Sequence, residues 1–312
     1  MRRGARARRR AAVRRRGGRA GLHPARRAAV VAVAGGRRAP AGAVRYHGAA
    51  VTLLERARDY RAAIAVFVAL LLAWEAAVRL GGVPAFVLPA PSAIAAKFVA
   101  DVGLLAGHTL VTVQEILVGY AVAVASGLLL AVLIVRFRTV ERVVYPYIVA
   151  SQTVPKIAIA PLLIIWMGAG LLPKILIVAV TAFFPVTVNA VAGLRAAEEN
   201  YVHLLRSVAA TEAQVFLHLR VPYALPYIFA GLKLATTLSV LGAIVAEFMG
   251  ASEGLGYLIL SSTFNFEVAR VFVSLIVLVA IGVLFFGLVS FLERRLSWKQ
   301  ETASRVVPTA LA

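Results

Sequence analysis

Seven polar side chains of this 312-residue chain sit inside or beside long apolar runs: Glu75, Glu115, Gln152, Thr153, Lys156, Asn189 and Glu247. A charge in hydrocarbon is expensive, so such a group marks a pathway, pairs with another charge, or reaches an interface. Glu247 lies near one end of its run, where it lines a pathway or reaches water. Lys156 sits at a proline-marked break, where freed carbonyls need partners. For Glu75 and Glu115 the expected explanation is snorkelling toward an interface. Gln152, Thr153 and Asn189 can hydrogen-bond a passing molecule or join helices, and joining helices is the expected role. Bond-making chemistry finds no support. The sequence has no G-x-x-x-x-G-K-[ST] loop for ATP and no H-E-x-x-H zinc pair, and its five histidines are scattered. With no cysteine, thiolate metal sites, disulfides and Cys nucleophiles are excluded. The expectation is a chain with no catalytic residue, no metal and no cofactor of its own.

The elements that must position these groups follow from composition. Apolar residues make up 61% of the chain and mean hydropathy is +0.85, values no ordinary soluble domain reaches. An apolar run of about 20 residues crosses a hydrocarbon core of roughly 30 Å as a helix, and lipid leaves no alternative to internally satisfied backbone. The fold class is all-α, a polytopic membrane protein with six transmembrane helices. The spans fall at 62–80, 109–135, 143–167, 175–192, 227–249 and 271–292. The third is interrupted by Val154-Pro155-Lys156 and Pro161, which predicts a kinked or broken helix. A bend is expected at Pro185 in the fourth. Residues 81–105 do not span: Pro84, Pro89 and Pro91 break their start. Ser92 is placed to cap a short helix with Ile94, Phe98 and Val99 on one side, an amphipathic surface segment.

Charge sets the orientation. Residues 1–46 hold 15 of the 34 basic residues and none of the 14 acids. An Arg-, Ala- and Gly-rich stretch of this kind cannot bury a core. Residues 1–50 therefore read as a basic disordered tail, or as an upstream extension of a chain starting at a valine such as Val44 or Val51. Residues 51–300 form the membrane domain, and 301–312 a C-terminal tail. A nucleic-acid-binding arm is also Arg-rich, but no recognition module accompanies this one. Beyond the tail, segments on the N-terminal side of the membrane carry thirteen Lys and Arg, the opposite segments four (Arg79, Lys97, Lys174 and Arg270). Both termini are therefore expected in the cytoplasm.

The same reading puts the polar segment 194–226 in the cytoplasm, between the fourth and fifth spans. It forms two short helices, with Leu204, Leu205 and Val208 expected on a common face. An apolar ridge of that kind fits a groove on a partner, or packs on its own protein.

The spacing of this segment resembles the EAA loop of ABC importer permeases: E-A-A, three residues, Gly, nine residues, Ile, one residue, Leu-Pro. The matching positions are His203-Leu204-Leu205, Ala209, Leu219 and Val221-Pro222, of which only the proline is identical. Ala224 to Lys233, A-L-P-Y-I-F-A-G-L-K, is closer to the family. Three further segments are similar to permeases of the nitrate, sulfonate, taurine and pyrimidine group, in the family's order. They are Val87 to Ile94 (V-L-P-A-P-S-A-I), Thr153 to Gly170 (T-V-P-K-I-A-I-A-P-L-L-I-I-W-M-G-A-G) and Glu247 to Ile259 (E-F-M-G-A-S-E-G-L-G-Y-L-I).

The resemblance, covering about residues 65 to 300, implies the permease subunit of a binding-protein-dependent ABC importer with the type I permease fold, in a bacterial inner membrane. It implies a second permease, a homodimer being the simpler case, two cytoplasmic ATPases that hold the ATP, an extracytoplasmic binding protein, and no nucleic acid. The cargo would be a small polar or anionic nutrient. The coupling loop would comprise His203, Leu204, Leu205, Arg206, Ser207, Val208, Ala209, Ala210 and Thr211, moved by closure of the ATPases. Gln152, Thr153, Lys156, Asn189 and Glu247 would be pathway candidates, with the third and fifth spans as lining. The alternative is an ion-gradient-driven secondary transporter. It would need coupling carboxylates near the midplane and usually inverted repeats, and neither is evident.

Overall fold

A computed structural model describes the backbone of residues 48–304 and the side chains of residues 61–296 apart from 156 and 157. Two units divide the chain, residues 1–63 and 64–312, and the packed helices belong to the second. The described residues form eleven helices. They are α1 (Gly48–Leu80), α2 (Pro91–Ala100), α3 (Val102–Arg136), α4 (Arg138–Ser151), α5 (Lys156–Met167), α6 (Leu171–Arg195), α7 (Glu199–Ser207), α8 (Glu212–Val215), α9 (Val221–Phe248), α10 (Leu255–Phe264) and α11 (Val268–Ser304). One π turn, Phe216–Arg220, joins α8 to α9. The expected tail over residues 1–47 lies outside the described residues, as does the end of the chain beyond Ser304. Helix α11 reaches Ser304, into the segment expected to be a C-terminal tail.

Among the described residues, five stretches are long and apolar enough to cross a membrane: Arg61–Leu80, Val102–Arg136, Leu171–Arg195, Glu212–Phe248 and Val268–Leu296. The third expected span is the broken one. It divides into α4 and α5, of 14 and 12 residues. At about 1.5 Å per residue neither reaches roughly 30 Å alone. The break falls at 152–155, where Pro155 has no N–H to donate and disfavours helical backbone at the residue before it. Helix α6, by contrast, runs unbroken through Pro185.

Helix α6 is the central element: 56% of its membrane window is buried, against 6% for Arg61–Leu80. Lipid tails are as apolar as leucine, so close packing has to hold such helices together. Small residues on α3, α6 and α9 permit it, and Ala123, Ala179, Ala182, Val186 and Ala235 form one buried apolar cluster. A Cβ on Gly119 would meet Val178 at 2.5 Å, and one on Gly231 would meet the Pro185 carbonyl at 2.8 Å. Glycine is needed there for close approach rather than for backbone freedom.

At the opposite end from the polar segment, α2 lies against α10 and α11. Ile94 is buried with Leu105, Leu255, Leu258, Val273 and Leu278, whereas Phe98 and Val99 stay exposed. The expected one-sided surface helix is thus partly a core element. An ionic clamp holds it: Asp101 accepts from Arg270 at 2.6 Å, and Lys97 lies 3.3 Å from Asp101 and 3.6 Å from Glu267. The hydrogen bond from Arg270 keeps the Asp101 carboxyl below its usual range. Ser92 does not cap α2 through its side chain. Its N–H and hydroxyl instead donate to the Glu75 carboxylate, at 3.0 and 2.7 Å. Glu75 also pairs with Arg79 at 2.5 Å. It ties α1 to α2 rather than only snorkelling.

Candidate functional site

The polar segment between α6 and α9 has a small core of its own. Val202, Val215 and Leu219 are buried together, with Leu205, Ala197 and Ala210 packed around them. Leu205 therefore turns inward, away from Leu204 and Val208, which are 62% and 70% exposed. The three do not share one exposed face. Helix α7 presents Tyr201, Leu204 and, just past its end, Val208, with His203, Arg206 and Ser207 also exposed.

The turn after α7 is a C-cap built on Ala209. Its N–H bonds the Arg206 carbonyl at 3.0 Å, and the Ala210 N–H bonds the Leu205 carbonyl at 3.0 Å. This pair of bonds defines the Schellman motif, and the Leu205–Ala210 contact supplies its hydrophobic component. The motif requires a left-handed residue, and Ala209 has φ 58°. This is the position where the EAA pattern has glycine, and the reason is steric: glycine adopts that conformation freely, whereas alanine adopts it under strain.

Thr211 then opens α8 with a capping box. Its side chain accepts from the Gln214 N–H at 3.3 Å, and the Gln214 side chain accepts from the Thr211 N–H at 2.8 Å. Arg206 bridges back to Glu212 at 2.9 Å. Cap, box and ion pair together shape a compact knob. The knob continues into α9, because Glu212–Phe248 is one continuous helical stretch of 37 residues, roughly 55 Å long.

At its far end that stretch carries Glu247. It does not reach water: it is 1% exposed. Thr112 donates to Glu247 at 2.6 Å, and the Gly256 N–H donates to its other oxygen. Two neighbouring donors are met from α3, the Leu255 N–H by Thr112 at 2.8 Å and the Gly254 N–H by His108 Nδ1 at 2.9 Å. Three N–H groups at the start of α10, orphaned by helix geometry, are thus satisfied by side chains of α3 and α9. Gly254 has φ +112°, and a Cβ there would fall on the Glu247 carboxyl. In this conformation the Glu247 carboxylate is buried and caps α10.

Glu115 is fully buried beside it and does not snorkel. Lys174 pairs with it at 2.7 Å, from a side chain only 11% exposed, and Glu247 acts on it electrostatically as well. The group therefore holds two acids, one ammonium and the positive end of α10. His108, Thr112 and Lys174 have no signal in the linear sequence beyond the glycines of Glu247-x6-Gly-Leu-Gly, which point to a tight approach.

The other candidates are not gathered with Glu247. Gln152 and Thr153 are exposed at the α4–α5 break, Thr153 bonding the Ala150 carbonyl at 2.8 Å. The Lys156 side chain lies outside the described residues. Asn189 donates to the Pro185 carbonyl at 2.8 Å, where α9 approaches α6 through Gly231. That bond lies within α6 itself.

Among the described residues, a bundle of apolar helices carries an exposed helical knob between two candidate spans. Residues 123–298 match the family described as binding-protein-dependent transport system inner membrane component, and the chain belongs to that family. It is 36% identical over 237 residues to a formylaminopyrimidine transport permease of Halalkalibacterium halodurans, covering 75% of this chain and 94% of the relative. It is 36% identical over 229 residues to a riboflavin transport system permease of Chloroflexus aurantiacus, covering 73% and 85%. A putative aliphatic sulfonates permease of Bacillus subtilis is 32% identical over 229 residues, covering 72% and 83%. The fold is similar to that of an amino acid ABC transporter crystallised with histidines, with TM-score 0.52, 20% identity, and 64% and 97% of the two chains covered. It is likewise similar to the MetNI methionine transporter, with TM-score 0.52, 19% identity, and 62% and 95% covered. The chain is an ABC importer permease subunit of the inner membrane, without catalytic activity of its own.

Proposed function

We propose that two copies of this chain form one translocation pathway, powered by two cytoplasmic ATPases that dock on residues 203–211 and fed by an external binding protein. The single observation carrying this reading is the knob itself. Leu204 and Val208 stand exposed on a cap, a capping box and an ion pair that lock them to the start of a helix running to Glu247. Closure of an ATPase groove around α7 would move that lever as a rigid body. Its far end holds α10, so the displacement would reach the opposite side of the membrane. Such coupling requires that the two states of the ATPase bind the knob differently. The α4–α5 break and α9 are the proposed lining, with α4 and α5 together completing one crossing and both termini in the cytoplasm. Residues 51–300 are the proposed membrane domain.

The cargo is a small polar or anionic nutrient, and the relatives named for a formylaminopyrimidine and riboflavin favour a nitrogen heterocycle over a sulfonate. The test is purification of the detergent-solubilised complex with ATPase activity assayed on the eluate. L204D/V208D is expected to lose the ATPase while staying monodisperse, because neither side chain belongs to the knob's core. Wild-type protein that carries no ATPase, or a variant that keeps it, would overturn the reading.

A further inference from the structure

A cleft of about 400 Å³ separates the polar end of α3 from the knob, within the size range of small-molecule sites. Its walls differ along their length. Val132, Val135 and Phe216 make the apolar part, and Arg136, Arg220 and Glu212 the charged part. Arg136 is the last residue of a helix long and apolar enough to cross a membrane, and the two valines precede it on that helix. The only acid in the lining, Glu212, is already engaged by Arg206 at 2.9 Å. Neither Arg136 nor Arg220 has a carboxylate partner among the described residues, although Arg136 lies 5.5 Å from the Phe137 ring centre.

We propose that this cleft is a binding site for one anionic phospholipid, its phosphate held between Arg136 and Arg220 and its upper acyl segment against Val132, Val135 and Phe216. The shared chemistry is a phosphate oxyanion facing two guanidiniums, which suits arginine's planar donor fork. The apolar half of the cleft selects the lipid over free phosphate, because a soluble ion leaves those side chains uncovered. A lipid seated there touches both the end of α3 and the base of the knob, so its occupancy bears on how freely the knob moves. This site is independent of which nutrient is carried.

Dioctanoyl phosphatidylglycerol is titrated into the purified protein in an uncharged detergent and followed by native mass spectrometry. Each arginine near a membrane surface contributes about fivefold to anionic lipid affinity. R136Q/R220Q is therefore expected to weaken binding by roughly thirtyfold. Exposed Arg138 and Arg142 lie on the same side outside the cleft, and R138Q/R142Q is expected to leave the affinity unchanged. Dioctanoyl phosphatidylcholine is expected to bind poorly. Equal loss in both double variants would show diffuse surface attraction and overturn the site. Displacement of the lipid by inorganic phosphate at equal concentration would overturn the lipid as the ligand.

Discussion

Replacing Ala209 with glycine should strengthen the knob. Alanine at φ 58° carries a left-handed penalty of about 1–2 kcal/mol. Glycine removes it but adds roughly 0.5–1 kcal/mol of chain entropy lost on ordering. The net gain is about 0.5–1 kcal/mol, or roughly two- to fivefold in the equilibrium between closed and frayed turn. The two bonds that close the turn run from the Ala209 and Ala210 N–H groups, so amide hydrogen exchange at residues 209 and 210 reads the effect directly. A209G should slow exchange there by that factor, leave exchange in α6 unchanged, and keep ATPase binding. A209V, which puts a β-branched side chain in the same conformation, should speed it by more than A209G slows it. Unchanged or faster exchange in A209G would refute the assignment of residue 209 as the left-handed cap.

Two further perturbations test the buried and ionic groups. K174M leaves Glu115 fully buried without its cation, which should cost about 3–5 kcal/mol, whereas K174M/E115L should recover most of it; thermal unfolding in detergent distinguishes them, and equal loss in both variants contradicts a buried pair. Because Asp101 has a folded-state pKa below its unfolded value, its contribution is fully present above about pH 4 and is lost as the pH falls through the folded value. D101N should remove that part of the acid dependence of the unfolding temperature. An acid limb identical to wild type would show that the Arg270 contact is not made in solution.

Much of this protein was legible as a string of residues. Bilayer thickness and apolar run length decide where helices cross, so α3, α6, α9 and α11 contain the expected spans. The Val154-Pro155-Lys156 run marks where the third span breaks, although Pro146, Pro161 and Pro185 sit inside helices that continue, so proline alone does not decide a break. The spacing from His203 to Pro222 located the knob, and residue 209 is where the turn needs a left-handed residue. What tertiary structure alone decided is which face of each helix meets which neighbour. Leu204 and Leu205 are adjacent and equally apolar, yet one is exposed and the other packs on Val215 and Leu219. Glu115 and Lys174 lie 59 residues apart in sequence, and Glu247 caps a helix through Gly256. These depend on the rotation and depth of α3, α6 and α9, which close packing of small residues sets and hydropathy does not encode. A buried acid cannot be told from a snorkelling one until the cation and the backbone donors that satisfy it are placed beside it.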